Sequence, residues 1–384
     1  MAAFWAFFSP SQPPRDVIES SLRGAVHGQA EGYRASASGR VPHRDPGRVL
    51  MKRRIFVTIL AVVMMGFAVV GTGPEPVDAQ ETITLRMASL APRGSPWDRA
   101  FRAWGNTLSQ QTNGRLRLHF YVGGAQGDER DYIRKMESGQ LDGAVITTAG
   151  LGQIVRPTLV LSAPGLFTEY SKIDRVRAAL SSEFTAQFED AGFKFMGWGD
   201  VGRARFFSNR EIHGPSDLRQ TRPWARPDDP IINQFYSVIG VSPQRLGVNE
   251  LLPGLQTGRV DAFPAPALAA VSLQWFQHVT HVTQQASSIV IGATVIKKDK
   301  VDALPEDLQN ALMETSLRAH AALNRSIRRA DDRAYQAIIS RNVTAVDISA
   351  HQAEWDRVTQ QTRQRLAGRL YPADLLRRVE RLAR

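Results

Sequence analysis

The residues able to do chemistry are sparse and poorly spaced for it. Beyond residue 80 the chain carries His119, His213, His278, His281, His320 and His351, of which only His278 and His281 stand close together. Their three-residue separation lacks the HExxH phrase or the paired cysteines of a metal site, so solvated or capping roles are expected for them. No cysteine occurs anywhere, which excludes disulfides, thiol nucleophiles and a lipid-modified cysteine. There is no G-x-S-x-G elbow, no Walker phosphate loop and no dinucleotide glycine fingerprint. The glycine-rich GGAQGDER at 123–130 lacks a phosphate loop's lysine, although free amides where a helix begins can meet an anion. Neither a metal nor a cofactor is expected. What remains is aromatic and arginine side chains near the ends of predicted strands, the composition of a small-molecule cleft.

An α/β framework has to hold those side chains. TITLRMAS, 82–89, reads as a strand and leads into a helix through Ser95-Pro96-Trp97-Asp98. Ser95 can cap the free amides, Pro96 suits the first helical position, and Asp98 favours the positive helix end. Trp97, Phe101, Trp104 and Leu108 then share one face. LRLHFYV, 116–122, alternates as a strand, and a helix around 128–138 precedes the strand LDGAVITT, 141–148. Strand–helix–strand order predicts an α/β unit with a parallel or mixed sheet.

FKFMGWG, 193–199, and ARFFSN, 204–209, read as two extended pieces, and the polar segment 211–217 marks passage into a second lobe. There a strand-like stretch at 221–226 precedes a helix around 229–239. IVIGATVI, 289–296, is a buried strand. Segments near 203–212 and 288–292 are expected hinges between lobes. From Leu304 to about Arg341 the amphipathic pattern is unbroken, on the order of 50 Å of helix at 1.5 Å per residue. Exceeding one lobe's diameter, it is expected to brace both lobes or to enter a partner interface, such as that of a homodimer. Ser349 with Gln352 suggests a capping box for the next helix, and a basic helix from Pro372 is read as a packed tail or a surface-binding one.

Two phrases echo one another: MESGQLDGAV at 136–145 and LQTGRVDAF at 255–263. A glycine that ends a helix accepts the left-handed conformation at little cost. Gly139 with Asp142, and Gly258 with Asp261, therefore read as equivalent helix-to-strand joints, each aspartate fixing the loop at a strand's start.

Residues 51–79 carry Lys52, Arg53 and Arg54, an apolar run from Ile55 to Val70, and a polar exit ending in Val77-Asp78-Ala79, the layout of a cleaved secretory signal. Residues 1–50 lack periodicity and read as a mis-annotated or disordered extension before a true start at Met51. Retention of 1–73 would instead make 55–73 a single-span anchor. Export places the folded part in the periplasm. The chain has 48 Lys+Arg against 37 Asp+Glu, but the basic residues are scattered and no nucleic-acid motif accompanies them, so nucleic acid is not an expected partner.

Taken in order, LRMASLAPRGSPWDRAF, TNGRLRLHFYVGGAQGDERDYIRKMESGQLDGAV, GPSDLRQTRPWAR and GVSPQRLGVNELLPGLQTGRVDAF resemble the solute receptors of tripartite ATP-independent periplasmic (TRAP) transporters over nearly all of 82–384. The resemblance implies a two-lobed, type II-like periplasmic binding fold with mixed sheets, an interdomain cleft and a long C-terminal connecting helix. Lobe I would comprise 80–205 and 288–325, lobe II and the tail 206–287 and 343–384. It also implies no catalysis: a small organic acid, or a partly apolar organic solute, is captured and passed to a TRAP-type membrane permease. A membrane-tethered sensor or scaffold on the same fold, and an exported α/β enzyme, are the rival readings.

The family's carboxylate-binding arginine falls at Trp224, with Arg226 two residues on. Its second arginine falls at Ala204, flanked by Arg203 and Arg205, and its asparagine at Ala265, near Phe263. An arginine fork supplies charge and bidentate geometry that tryptophan does not. The expected ligand contacts are thus Trp224, Phe263, Arg205, Glu129, Trp97, Thr147, Arg226 and Trp275, with Trp224 and Phe263 facing an apolar part of the ligand.

Overall fold

The computed structural model describes residues 82–384; the extension and the signal expected at 51–79 lie outside them. Among the described residues no helix is long and apolar enough to cross a membrane. The first half begins with β1 (Ile83–Ser89), α1 (Pro96–Gln111), β2 (Leu116–Tyr121), α2 (Glu129–Glu137), β3 (Gly143–Thr147), α3 (Thr148–Ile154) and α4 (Tyr170–Asp190). At α1 the Ser95 hydroxyl accepts the Asp98 amide with Pro96 in the first turn, and Trp97, Phe101, Trp104 and Leu108 are buried. Next comes β4 (Phe193–Ser208), followed by β5 (Trp224–Ala225), α5 (Pro230–Ile239), β6 (Gln244–Arg245), α6 (Val248–Gln256), β7 (Ala262–Pro266) and α7 (Ala267–Ser272). The chain closes with β8 (His281–Thr283), β9 (Ser288–Lys297), α8 (Lys298–Asp302), α9 (Glu306–Ile339), β10 (Thr344–Val346), α10 (Gln352–Leu366) and α11 (Ala373–Leu382).

One mixed, eight-stranded sheet runs β10-β8-β4-β9-β3-β1-β2, with β7 also on β4, and β5 pairs β6 in a small second sheet. β1 is parallel to β2 and β3, whereas β9 is antiparallel to both β3 and β4. The two extended pieces expected at 193–199 and 204–209 are a single 16-residue strand. Register shifts between Phe195 and Gly197 and between Asp200 and Gly202 mark bulges that absorb an extra residue each and keep the strand continuous. β4 pairs with β9 over Phe193–Ala204 and with β7 over Ala204–Ser208, so one strand carries the backbone ladder from one half into the other.

The two aspartate joints are superposable in their bonding. Asp142 accepts the Arg86 amide at 2.7 Å and its side chain at 2.8 and 2.9 Å, and its own amide donates to the Arg86 carbonyl. Asp261 does the same with Arg222, at 2.6 Å to the amide and 3.1 Å to Nε. Gly139 (φ 73°) and Gly258 (φ 69°) precede them in the left-handed region. In each case the residue after the arginine bridges, in parallel, the residue after the aspartate: Met87 with Gly143, and Pro223 with Ala262. Burial acts to raise the Asp142 pKa, but the hydrogen bonds from Arg86 outweigh it and the carboxyl lies below the ordinary aspartate range. Asp142→Ala should therefore cost about 1–3 kcal/mol at neutral pH, and Asp261→Ala less, because its arginine is 59% exposed and water screens the pair. Asp142 titrates lower in the folded state, so its stabilisation is present above the ordinary aspartate value and is lost as pH falls through the depressed one. Urea titrations of both variants at neutral pH, and of Asp142→Ala across acid pH, check this.

α9 buries Leu308, Leu312, Leu323, Ile327 and Ile338 within the same chain. Leu308 and Leu312 join the cluster of Leu85, Trp104 and Leu116, while Leu323, Ile327 and Ile338 join that of Phe207, Phe263 and Trp275. The helix thus packs against two separate hydrophobic clusters along its length. Midway along it His320 is buried against Trp104, with ring centres 5.4 Å apart. Its Nδ1 lies 2.8 Å from the Ser316 carbonyl and its Nε2 2.8 Å from the Thr294 hydroxyl. Gly197 makes the space: a Cβ there would come within 2.7 Å of the ring, and its φ of 150° disfavours other residues.

Three further expectations need correction. The strand-like stretch 221–226 shortens to Trp224–Ala225, because Pro223 offers no donor. The Ser349–Gln352 capping box does not form: Ser349 opens a 3-10 turn and α10 starts at Gln352 without a side-chain cap. The basic tail is packed, but against the first half; Leu375, Leu376 and Val379 of α11 share a cluster with Phe167, Ile173, Leu180 and Phe184.

Candidate functional site

A cavity of about 360 Å³ opens between the loop after β1, the start of α1, the end of β3, the middle of β4, and the β5, β7 and α10 segments. Trp97, Glu129, Thr147, Trp224, Arg226 and Trp275 all line it. Elements on both sides of the β4 crossing therefore contribute. Trp97 reaches it from the first turn of α1, its Nε1 donating to the Asp200 carbonyl at 3.2 Å. Trp224 enters from β5, its Nε1 donating to the Leu246 carbonyl at 2.8 Å, and its ring meets Trp275 edge-on at 5.6 Å. Trp224→Phe should cost about 1 kcal/mol for the lost hydrogen bond, and Trp224→Ala about 3 kcal/mol or more for the emptied wall; urea unfolding curves measure both.

The polar side of the cavity is a closed network. Glu129, first residue of α2, is 1% exposed; its Oε1 accepts the Thr147 amide at 2.8 Å. Its Oε2 accepts the Thr147 hydroxyl at 2.8 Å, the Gly150 amide at 3.1 Å and Arg226 Nη2 at 2.9 Å. Gly150 is required at this approach, since a Cβ there would stand 2.8 Å from Glu129 Oε2. Arg226 gives Nη1 to the Thr147 hydroxyl at 3.1 Å and both Nε and Nη2 to Asp228 at 3.1 and 2.9 Å, with Asp128 at 3.8 Å. Burial opposes the guanidinium charge, but Glu129 and Asp228 outweigh it and hold the Arg226 pKa well above its ordinary value. The arginine is thus neutralised by its own protein, across 97 residues of sequence.

Two expected contacts are elsewhere. Arg205 alternates with Ala204 and Phe206 on β4; those two line the cavity, so Arg205 faces away, 4.0 Å over the Tyr335 ring, with Nε donating to the Gln284 carbonyl. Phe263 is fully buried behind the wall, stacked on Phe207 at 5.2 Å and edge-on to Trp275 at 5.6 Å, whereas its neighbours Pro264 and Ala265 line the cavity. Sequence reasoning missed Asp229, Trp355 and Asp356 on the lining. Asp229 caps α5, where it accepts the Ile231 and Ile232 amides, and Trp355 is a buried residue of α10; neither role points to a cavity from sequence alone. Among the described residues, no group of three or more His, Cys, Asp or Glu side chains is arranged to hold a metal ion.

A family model described as bacterial extracellular solute-binding protein, family 7, matches residues 87–368. A solute-binding protein of Roseobacter denitrificans is 27% identical over 282 residues, 72% of this chain and 85% of that one. Two solved structures share the fold. A TRAP periplasmic solute-binding protein of Desulfovibrio salexigens with bound orotic acid superposes with a TM-score of 0.72 at 19% identity, covering 78% of this chain and 98% of that one. A Bordetella pertussis extracytoplasmic solute receptor binding pyroglutamic acid gives 0.73 at 14% identity, covering 78% and 100%. The two-lobed, type II-like α/β architecture expected from the sequence is the one they have. With the family model spanning most of its length, the chain belongs to the bacterial extracellular solute-binding protein family 7: it is a periplasmic TRAP-type solute receptor and not an enzyme.

Proposed function

We propose that the cavity encloses one small, partly apolar organic solute and that the closed receptor delivers it to a TRAP-type membrane permease. The observation that carries this reading is the pairing of Trp97, Glu129 and Thr147 from one side with Trp224, Arg226 and Trp275 from the other around a single cavity. A volume of about 360 Å³ suits a small molecule. In this reading the lobes are 82–205 with 288–325 and 206–287 with 343–366, hinged where β4 and β9 cross between them. The Arg226–Glu129 pair joins the two and belongs to the closed form. Closure follows ligand only insofar as the ligand has greater affinity for the closed form than for the open one.

The relatives from Desulfovibrio and Bordetella hold acids in structures of this fold, which supports a solute of similar size here. Native mass spectrometry of the exported protein is the direct test. A copurified molecule of small-solute mass, lost on unfolding, is the expected result, and the same spectra report the processed N-terminus and the number of subunits. Scattering curves that stay superposable with and without that molecule, for a protein already closed when empty, would remove ligand-driven closure.

A further inference from the structure

The charges on the cavity lining are already answered within the protein. Arg226 is its only lysine or arginine, and four of the five guanidinium hydrogens go to Asp228, Glu129 and Thr147. Asp200 is bonded from behind by Arg177 and Arg328, each at 2.6 Å. Asp229 Oδ1 takes the two amides of the α5 cap, and the Arg226 charge acts on the same carboxylate electrostatically. Asp356 is exposed to water. A solute with two carboxylates would find no free arginine fork and no second cation here, so its second charge would be desolvated without a partner.

Four tryptophans line the same space, and one of them differs. Trp97, Trp224 and Trp355 each give the indole N–H to a backbone carbonyl, of Asp200, Leu246 and His213 respectively, and so present ring carbon. Trp275 is 3% exposed and held edge-on to Trp224 and Phe263, yet its Nε1–H has no acceptor among the described residues. That nitrogen is not sealed in the packing, and the open space its residue borders is the cavity. A donor so placed calls for an acceptor from whatever enters. Lining hydroxyls such as Thr147, Thr283 and Ser287 are engaged within the chain, while those of Ser89, Thr168 and Ser288 donate to none of its acceptors. The many hydroxyls of a sugar acid would mostly meet ring and aliphatic carbon.

We propose that the solute is a monocarboxylate on an apolar ring or branched body, its carboxylate accepting the Trp275 indole N–H and its body lying against Trp97, Trp224 and Trp355. This rests on the receptor reading and specifies its ligand class. The test sets 3-phenylpropionate, 3-cyclohexylpropionate and 4-methylpentanoate beside succinate and glucuronate, followed by thermal shift and calorimetry on the full exported chain. Trp275→Phe is the informative variant, because it keeps an aromatic wall and removes the N–H. Propylbenzene, the same skeleton without the acid, separates the lost hydrogen bond from any change in ring packing.

The three apolar monoacids should stabilise the protein and bind at least about 10-fold more tightly than succinate or glucuronate. Trp275→Phe should weaken 3-phenylpropionate roughly 10–100-fold and propylbenzene much less. Succinate or glucuronate binding as tightly as the best monoacid would overturn the ligand class and leave the receptor reading standing. Equal weakening of acid and hydrocarbon by Trp275→Phe would overturn the Trp275 contact. Should none of the five acids bind, the molecule found by native mass spectrometry decides: an apolar monocarboxylate supports the proposal, and any other solute overturns it. No copurified molecule and no binding by any of these compounds would overturn the receptor reading itself, and this proposal with it.

Discussion

Arg226→Met is expected to destabilise the protein by about 3–5 kcal/mol. Methionine fills a similar volume, so the loss comes from charge. Glu129, 1% exposed, and Asp228, 9% exposed, would be left facing one another without the guanidinium that now bonds to both. Breaking a buried pair by removing one partner is costly because the survivor keeps its desolvation penalty. Arg226→Lys should fall between wild type and methionine, since one ammonium cannot reproduce donation to Asp228, Glu129 and Thr147 together. The double variant Arg226→Met/Glu129→Gln should recover part of the loss, giving a coupling energy on the order of 1–3 kcal/mol. Urea unfolding of the four proteins measures this. A loss below about 1 kcal/mol for Arg226→Met would mean that the cluster is solvated like an exposed pair.

The second expected effect is a pH dependence from His320. Burial lowers its pKa from 6.5 to about 4, opposed only by the hydrogen bond to the Ser316 carbonyl. The folded protein therefore holds this ring neutral down to about pH 4, while the unfolded chain takes up its proton near 6.5. Between those values the unfolded state binds more protons, so stability rises with pH in this window and is lost as pH falls through it. Over the full interval the loss is about 3 kcal/mol at 1.36 kcal/mol per unit. The geometry agrees: Nδ1 donates to a carbonyl and Nε2 accepts from the Thr294 hydroxyl, the pattern of an imidazole with one proton. His320→Gln should flatten the difference curve between pH 6.5 and 4. Parallel curves for variant and wild type in that window would show that His320 titrates normally.

Most of the framework could be read from local pattern, because helices and strands announce themselves over 5–20 residues. The α1 cap at Ser95, the unbroken stripe of α9 and the paired glycine–aspartate joints are all local features, and all are present. The reading failed where local and long-range signals compete. The extended pieces at 193–199 and 204–209 look separate until bulges near Gly197 and Gly202, opposite β9, join them in one strand. The helix from Ala373 shows an apolar face but nothing to say which half it covers.

The site divides in the same way. Six expected residues meet at one cavity because they sit at strand ends and helix starts, which the topology gathers. Arg205 and Phe263 missed because a side chain's face depends on register, and one residue along β4 reverses it. The sequestration of Arg226 was illegible for a different reason. Its partner Glu129 lies 97 residues away, and no periodicity connects them.

The concentration of indoles around one hollow has an optical consequence. The described chain has six tryptophans, and four of them, Trp97, Trp224, Trp275 and Trp355, border the cavity, leaving Trp104 and Trp198 as background. Ultraviolet-excited emission from the unlabelled protein is thus dominated by the walls of the binding space, and the molecule carries its own dye for whatever enters it.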